Sequence, residues 1–127
     1  MAFEHEQAIV LLAHGSRDPA WHQSILAVQA CIEAQAPNLQ VACAYLELSS
    51  PELAQAVADL VQCNARHIAI LPLFLGMGKH AREDIPPLVE SLRTQYPQVR
   101  FTLQASVGES PQLIALLAQL ALTPFQP

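Results

Sequence analysis

Charged side chains are scarce in this sequence. They make up 13% of the 127 residues, about half the usual share, whereas hydrophobic residues make up 52%. This composition excludes an intrinsically disordered chain, and it predicts that a partner covers some apolar surface. Six Lys and Arg residues stand against eleven Asp and Glu residues. Cations are therefore too few for the large basic face of a general nucleic-acid binder.

Paired cysteines and long apolar runs are also missing. Cys31, Cys43 and Cys63 are odd in number and far apart, which argues against a structural zinc site, an iron–sulfur cluster or a disulfide framework. We expect them to be small core residues. The apolar tract 113–122 is too short to span a bilayer, and residues 1–6 carry no signal-peptide pattern. We therefore expect a cytoplasmic protein that does not bind a membrane.

Apolar runs alternate with helical patterns along the whole chain. The predicted strands are 7–13, 39–46, 67–75 and 99–105, and the predicted helices are 19–36, 51–64, 82–96 and 111–122. Asp18-Pro19, Ser50-Pro51 and Ser110-Pro111 each read as a capping residue before the first helical position. Four β-α units in a row predict a single α/β domain over residues 1–127. We expect a three-layer α/β/α sandwich with a four-stranded parallel sheet of order 2-1-3-4.

Two histidines follow the strands that flank the expected ligand crevice. Ligands of open α/β sheets bind beyond the carboxyl ends of the strands, where the strand order reverses. Strand 1 leads into His14 and strand 3 leads towards His80, so we expect the two imidazoles to face each other across the crevice. Imidazole suits several divalent transition metals, and two ligands leave the coordination sphere open. A single loop histidine more often caps a turn, but a pair at this place favours a metal site.

Two carboxylates lie near these histidines in the predicted fold. Glu47 ends strand 2 on the same edge, and it is a candidate metal ligand or proton acceptor, with a solvated rim carboxylate as the alternative. Asp84 follows His80 by four residues, so it is within reach to orient that imidazole. Capping of the helix that begins near Pro86 and Pro87 is the interpretation we favour for Asp84.

Positive charge and glycine are concentrated in the two crevice loops. Arg17, Lys79 and Arg82 are three of the six cations in the chain. Cations gathered at one edge of an acidic protein predict an anionic ligand. Gly76 and Gly78 let the backbone approach a ligand closely or let the loop move.

The predicted last helix is apolar around most of its circumference. No charged residue follows Glu109, so we expect this helix to be deeply packed or to contact another subunit. Trp21 and His22 fall in the first turns of the predicted first helix, where packing or solvent contact is the default interpretation.

The loop sequences resemble those of one enzyme family. His14-Gly15-Ser16-Arg17-Asp18-Pro19 follows strand 1, Tyr45-Leu46-Glu47 ends strand 2, and Pro72-Leu73-Phe74-Leu75 leads to Gly78, His80 and Asp84-Ile85-Pro86. Over nearly the whole chain, from about Ile9 to Leu122, this order of motifs resembles the short-form, CbiX-type sirohydrochlorin cobaltochelatases of the class II chelatase family.

The resemblance implies a chelatase-like, flavodoxin-like half fold and an ATP-independent enzyme. Such an enzyme inserts a divalent metal, typically cobalt, into sirohydrochlorin during cobalamin synthesis. The metal is a substrate, no organic cofactor is needed, and a homodimer supplies the second lobe. The resemblance assigns metal binding to His14 and His80. Beside them we predict Glu47 as a third catalytic residue.

We predict that the remaining loop residues bind the macrocycle. This set comprises Ser16, Arg17, Gly76, Gly78, Lys79 and Arg82, of which the three cations suit the peripheral carboxylates of sirohydrochlorin. Close relatives with the same motifs insert iron for siroheme or nickel for coenzyme F430, so these metals remain alternatives.

Two other functions remain open at this point. Phosphohistidine enzymes also place His-Gly after their first strand, but they need an arginine before that histidine, and here the residue is Ala13. A metal or tetrapyrrole carrier without catalytic activity would use the same crevice and the same residues as a chelatase.

Overall fold

Four parallel strands form one sheet in the computed structural model, which describes residues 6–127. The strands are β1 (Gln7–Ala13), β2 (Gln40–Tyr45), β3 (His67–Pro72) and β4 (Arg100–Leu103), in the order β2-β1-β3-β4. The helices are α1 (Gln23–Gln35), α2 (Leu53–Gln62), α3 (Lys79–Gln95) and α4 (Pro111–Leu122). The predicted α/β class and strand order are confirmed. Residues 1–5, which entered the localisation argument, lie outside the described residues.

Strand β1 lies at the centre of the sheet and is buried on both faces. Val10 and Leu12 belong to the larger core, beneath α2 and α3, whereas Leu11 packs on the opposite face with Ile25 of α1. A strand covered on both faces must be apolar at consecutive positions, which is why β1 shows no alternation in sequence.

The second face of the sheet is only partly covered. Helix α1 packs there against β1 and β2, while Arg100 and Thr102 of β4 remain exposed. Helix α4 packs mainly against the short 3-10 turns at Val107–Glu109 and Thr123–Phe125, and it contributes no buried residue. Deep packing of α4 was one of two expectations, and for the described residues it is wrong.

Helix α3 begins earlier than its prolines suggest. Its first residue is Lys79, after Gly78 at the N-cap, so Pro86 and Pro87 lie inside the helix. Proline removes the hydrogen bond to the carbonyl four residues earlier, here the carbonyls of Arg82 and Glu83. Arg82 and Glu83 are exposed residues, so the two missing hydrogen bonds fall on the solvent-facing side of the helix. The predicted start near Arg82 is therefore wrong, and so is the role of Asp84 as the cap of this helix.

Strand β3 ends earlier than its apolar run. The run continues to Leu75, but the strand stops at Pro72. Beyond the strand, the backbone N–H of Phe74 donates to the hydroxyl of buried Ser106, and this hydroxyl donates to the carbonyl of Phe74. The N–H of Gly108 donates to the same Phe74 carbonyl. These bonds replace sheet pairing and turn the chain into the crevice loop.

Smaller corrections concern helix starts and cysteines. Asp18 caps a 3-10 turn over Pro19–His22 before α1 begins, and α2 follows Glu52, two residues after the predicted cap, with a cis peptide bond between Ser50 and Pro51. The core-residue expectation holds for Cys43 but is wrong for the exposed Cys31 and Cys63. Among the described residues, every helix is too short or too polar to cross a bilayer.

Candidate functional site

The carboxyl ends of β1 and β2 bring His14 and Glu47 into contact. Ala13 lies opposite Tyr45 in the parallel register, and the N–H of Leu46 donates to the carbonyl of Ala13. The residues that follow each strand therefore meet at one edge. The Nδ1 of His14 lies 2.9 Å from Oε1 of Glu47, although the two residues are 33 positions apart in the chain.

The contact with Glu47 determines which nitrogen of His14 is free. The carboxylate accepts the Nδ1–H, which leaves the lone pair of Nε2 available to a metal ion. Metal-binding histidines are usually oriented by such a carboxylate, which also raises the basicity of the ring. The His14 and Glu47 side chains are 50% and 45% exposed, so the pair contributes little to fold stability. Its effect is to orient the imidazole.

Ser49 joins the loop after β2 to the loop after β1. Its hydroxyl accepts the N–H of Ser16 and donates to the carbonyl of Ser16, each at 2.9 Å. Since that hydroxyl proton is used, Nε2 of His22, 3.0 Å away, donates to the same oxygen. The backbone of Ser16 is thus engaged in the loop contact, and its own hydroxyl accepts the N–H of Asp18.

Gly15 is required where these two loops touch. A Cβ at this position would overlap the carbonyl oxygen of Glu47 and the side chain of Ser49. By contrast, a Cβ at Gly76 or Gly78 would meet nothing within 4 Å. The fold of the chain therefore requires glycine at Gly15 but not at Gly76 and Gly78.

His80 lies in the first turn of α3 and is exposed. Within residues 6–127 it makes no hydrogen bond or ion pair with His14, Glu47 or Asp84, and that stretch holds no group of three or more His, Cys, Asp or Glu side chains suited to a metal ion. Asp84, inside α3, therefore does not orient His80 by a hydrogen bond, and Glu47 orients His14 instead.

The three predicted substrate cations differ in their surroundings. Arg17 and Lys79 are exposed, and their side chains form no ion pair or hydrogen bond within the described residues. Arg82 lines two cavities on the β4 side of the β3 loop, together with Ser106 and Glu109. The first two cations are free to pair with an anion, whereas Arg82 faces a different region.

An apolar cavity of about 410 Å³ adjoins His14. This is within the usual range for small-molecule sites. Phe74 packs edge-on against the His14 ring, with 4.7 Å between ring centroids. The indole N–H of Trp21 donates to the carbonyl of His14 at 2.8 Å. The cavity is lined by His14, Trp21, Ile25, Leu73, Phe74 and Leu75.

Several contributors to this site were not assigned a function from the sequence. For Trp21 and His22 the expectation is packing or solvent contact, and Ser49 and Ser106 belong to no motif. For Phe74 and Leu75, the one sequence feature that could have indicated a role in the cavity is the apolar segment Pro72-Leu73-Phe74-Leu75. This apolar run is longer than the strand, so its last residues lie in the loop that lines the cavity.

Two side chains of the sheet, Tyr45 and His67, have shifted pKa values. Burial raises the pKa of the Tyr45 hydroxyl, and neighbouring Cys43 adds to the increase, so Tyr45 stays protonated where its ring packs beside His22. Burial, followed by the charge of Arg100, lowers the pKa of His67. His67 is at the opposite edge of the sheet, where β3 begins, and is separate from the crevice.

Comparisons with curated proteins match this chain to sirohydrochlorin chelatases. It is 28% identical over 117 residues to the sirohydrochlorin ferrochelatase of Priestia megaterium, a match covering 91% of this chain and 44% of that protein. It is 35% identical over 85 residues to the sirohydrochlorin cobaltochelatase of Methanocaldococcus jannaschii, covering 65% and 58%. The chain thus spans less than half of the first relative and less than two thirds of the second.

Solved structures share the fold over most of this chain. A CbiX protein assigned to cobalamin (vitamin B12) biosynthesis in Marinobacter aquaeolei VT8 superposes with a TM-score of 0.80 at 28% identity, covering 94% of this chain and 97% of that one. The sirohydrochlorin chelatase SirB of Bacillus subtilis subspecies spizizenii, in complex with cobalt, gives a TM-score of 0.73 at 29% identity, covering 91% and 50%.

The family comparison agrees with the loop motifs. The family model named CbiX matches residues 8–123, which include α4, β2, β3, β4 and all of β1 except its first residue. The chain belongs to the CbiX family.

Proposed function

We propose that this chain inserts a divalent metal ion, with cobalt as the first candidate, into sirohydrochlorin without ATP. The observation that carries the proposal is the imidazole of His14, which Glu47 orients at the carboxyl edge of the sheet in a member of the CbiX family. The metal ion is a substrate in this reaction, and the protein requires no organic cofactor. Relatives named for cobalt and for iron both match the chain, so iron is an alternative to test, and nickel is a second alternative that rests on the family resemblance of the loop motifs alone.

In this proposal His14 and His80 hold the incoming ion. A set of only two imidazoles leaves most coordination positions to water and then to the ring nitrogens. A closed site of four protein ligands would bind the ion too tightly to release it. The small number of metal ligands in one chain therefore suits a protein that transfers its metal ion to another molecule.

The reaction exchanges two protons for one metal ion. Two pyrrole N–H bonds break while the ion forms bonds to all four ring nitrogens, and two protons leave the macrocycle. Once the ion has moved to the macrocycle, Nε2 of His14 is a free base beside it and accepts one proton. Glu47, hydrogen-bonded to Nδ1, stabilises the imidazolium that forms. The second proton passes to solvent through the exposed side of the site.

We propose that the loop cations bind the carboxylates at the rim of the macrocycle. Arg17 and Lys79 support this assignment, because both are exposed and unpaired in the part of the chain that the structure describes. Charge-assisted pairs with carboxylates are among the stronger hydrogen bonds. Arg82, Ser16, Gly76 and Gly78 remain predicted contacts of the macrocycle, with Arg82 reaching it from the β4 side.

We further propose that the active form is a homodimer in which α4 packs on the second copy. Six large apolar residues between Ile114 and Phe125 are 37–84% exposed. In two copies these side chains expose on the order of 1,200 Å², before the surface they would cover is counted, which already reaches the size of a stable interface. The half-covered sheet face beside β3 and β4 is the surface we assign to the partner helix.

Metal insertion tests the proposed function directly. Sirohydrochlorin is incubated anaerobically with cobalt, nickel or iron, with and without protein, and its visible absorbance is followed. We expect the protein to accelerate at least one insertion well beyond the uncatalysed rate. Binding of metal and macrocycle without acceleration would identify a carrier instead. Formation of an acid-labile phosphate on His14 would favour a phosphohistidine enzyme.

Histidine variants connect the activity to the site. We expect His14→Ala and His80→Ala to remove most of the acceleration while the fold stays intact, as judged by circular dichroism. His67→Gln is the matched control, since His67 lies at the opposite edge of the sheet. Near wild-type turnover of His80→Ala would remove His80 from the proposed metal site.

A further inference from the structure

The cavity beside His14 exposes a large aromatic side chain to solvent. Trp21 is the single tryptophan of the sequence, and it is 52% exposed at this cavity. Leu75, on the β3 side of the same cavity, is 68% exposed. Large apolar side chains left in solvent at a concave site commonly mark a surface that a ligand covers.

The setting of Trp21 keeps its ring in one place. Its backbone N–H donates to the carbonyl of Asp18, which also caps the 3-10 turn with its side chain. The indole N–H donates to the carbonyl of His14. With its polar atom satisfied within the chain, the indole offers only apolar surface to a ligand. A ring held in this way loses little conformational entropy on binding.

The hydrogen bond also places the ring relative to the metal-binding nitrogen. Trp21 is bonded to the backbone of the residue whose Nε2 we assign to the metal, and Phe74 packs against that same imidazole. The cavity wall next to His14 is therefore aromatic and aliphatic, and the Glu47 carboxylate contacts Nδ1 of His14 without lining the cavity. A flat π-system has apolar faces and stacks on such a surface, whereas small hydrated anions do not.

We infer that Trp21, which lines this cavity together with Leu75, contacts the face of the tetrapyrrole ring and positions it beside His14. This inference rests on the proposed function, and it adds a residue that contacts the macrocycle outside the charged loop positions. The carboxylates of the macrocycle would then lie towards Arg17 and Lys79, and its apolar face would lie on the indole.

Because Trp21 is the only tryptophan, its fluorescence reports on this contact. Metal-free sirohydrochlorin is titrated into the protein, and we expect saturable quenching of tryptophan emission. The dissociation constant is measured independently by ultrafiltration and the absorbance of the unbound macrocycle. We expect Trp21→Ala to bind about tenfold more weakly, since an aromatic contact together with its buried area is worth roughly this factor.

Two further variants distinguish an aromatic contact of Trp21 with the macrocycle from a structural effect of its hydrogen bond to His14. Trp21→Phe keeps an aromatic face but loses the hydrogen bond to His14, so we expect it to bind within about threefold of wild type. If the hydrogen bond were what mattered, Trp21→Phe would be as weak as Trp21→Ala, and the inference would be wrong. Leu88→Ala, at an exposed position of α3 away from this cavity, is the control and should bind normally.

The outcomes distinguish this inference from the proposed function. Wild-type affinity in Trp21→Ala, with metal insertion intact, would overturn the role of Trp21 alone. Absence of sirohydrochlorin binding to the wild-type protein would overturn both. Cobalt binding by Trp21→Ala should match wild type, because His14 and Glu47 are unchanged.

Discussion

At the scale of single residues, the hydrogen bond between His14 and Glu47 leads to a direct prediction about cobalt binding. Glu47 accepts the Nδ1–H of His14, so removing its carboxylate takes away the partner that fixes the orientation and the tautomer of the ring. We expect Glu47→Gln to weaken cobalt binding roughly tenfold and Glu47→Ala up to about a hundredfold, the range found for partners of metal-binding histidines. Cobalt titration followed by visible spectroscopy measures both constants.

A second carboxylate serves as the control for Glu47. Glu90 forms an ion pair with Arg93 on the surface of α3, and Glu90→Gln should leave cobalt binding unchanged. If both glutamate variants bind cobalt like wild type, Glu47 is a rim residue without influence on His14.

The lowered pKa of His67 predicts that the free energy of unfolding depends on pH. Its Nδ1 accepts from Arg100 and its Nε2–H donates to Thr102, so the folded state holds the neutral ring. Burial and Arg100 lower the folded pKa below the reference value of 6.5. The unfolded chain therefore binds the proton first as pH falls through 6.5, and stability is lost from there down to the folded pKa.

Denaturant unfolding between pH 7.5 and 5 tests whether stability decreases as the pH falls. We expect the free energy of unfolding to decrease across this range in wild type and to decrease less in His67→Gln, which keeps a polar side chain but does not titrate. Parallel pH profiles for the two proteins would show that His67 is not responsible.

At the scale of elements, the loop after β1 depends on close contact with the loop after β2. A Cβ at Gly15 would overlap the carbonyl of Glu47, whereas a Cβ at Gly76 meets nothing within 4 Å. We expect Gly15→Ala to destabilise the protein by about 2 kcal/mol or more and to weaken cobalt binding, because the His14–Glu47 contact is displaced. Gly76→Ala should change stability by less than about 0.5 kcal/mol.

Thermal unfolding and cobalt titration of both glycine variants provide the comparison. Equal stability of Gly15→Ala and Gly76→Ala would mean that the two loops separate freely in solution.

The same scale shows where local sequence signals succeed and fail. Ser110-Pro111 predicted the start of α4 correctly, since the Ser110 hydroxyl accepts from the N–H of Leu113 within the helix itself. Pro86 and Pro87 misplaced the start of α3, because the loss of two hydrogen bonds is tolerated on the solvent-facing side of the helix. A capping residue whose hydrogen-bond partner lies in the same helix can be recognised from the local sequence. Whether a proline is tolerated inside a helix depends on which side of the helix faces solvent, and the local sequence does not show this.

At the scale of the whole molecule, the exposed side of α4 predicts the assembly state. We expect the wild-type protein to be a dimer by size-exclusion chromatography with light scattering. Leu117→Glu and Leu120→Glu each place a charge among the exposed apolar residues of α4, so both should dissociate it at micromolar concentration. Leu88→Glu, on an exposed face of α3, should remain dimeric. A monomeric wild type would contradict the proposed assembly.

The sequence alone was enough to predict the α/β class, the strand order and the loop after β1 that contains His14, whereas His80, predicted in a loop, lies in the first turn of α3. The fold could be predicted because β1 is apolar at consecutive positions and because right-handed β-α units restrict the topology. Three features could be read only from the folded chain: Glu47 orients His14, Arg82 lines a cavity beside β4, and α4 is uncovered. Each of these depends on register or packing between segments far apart in the chain, which local patterns do not encode.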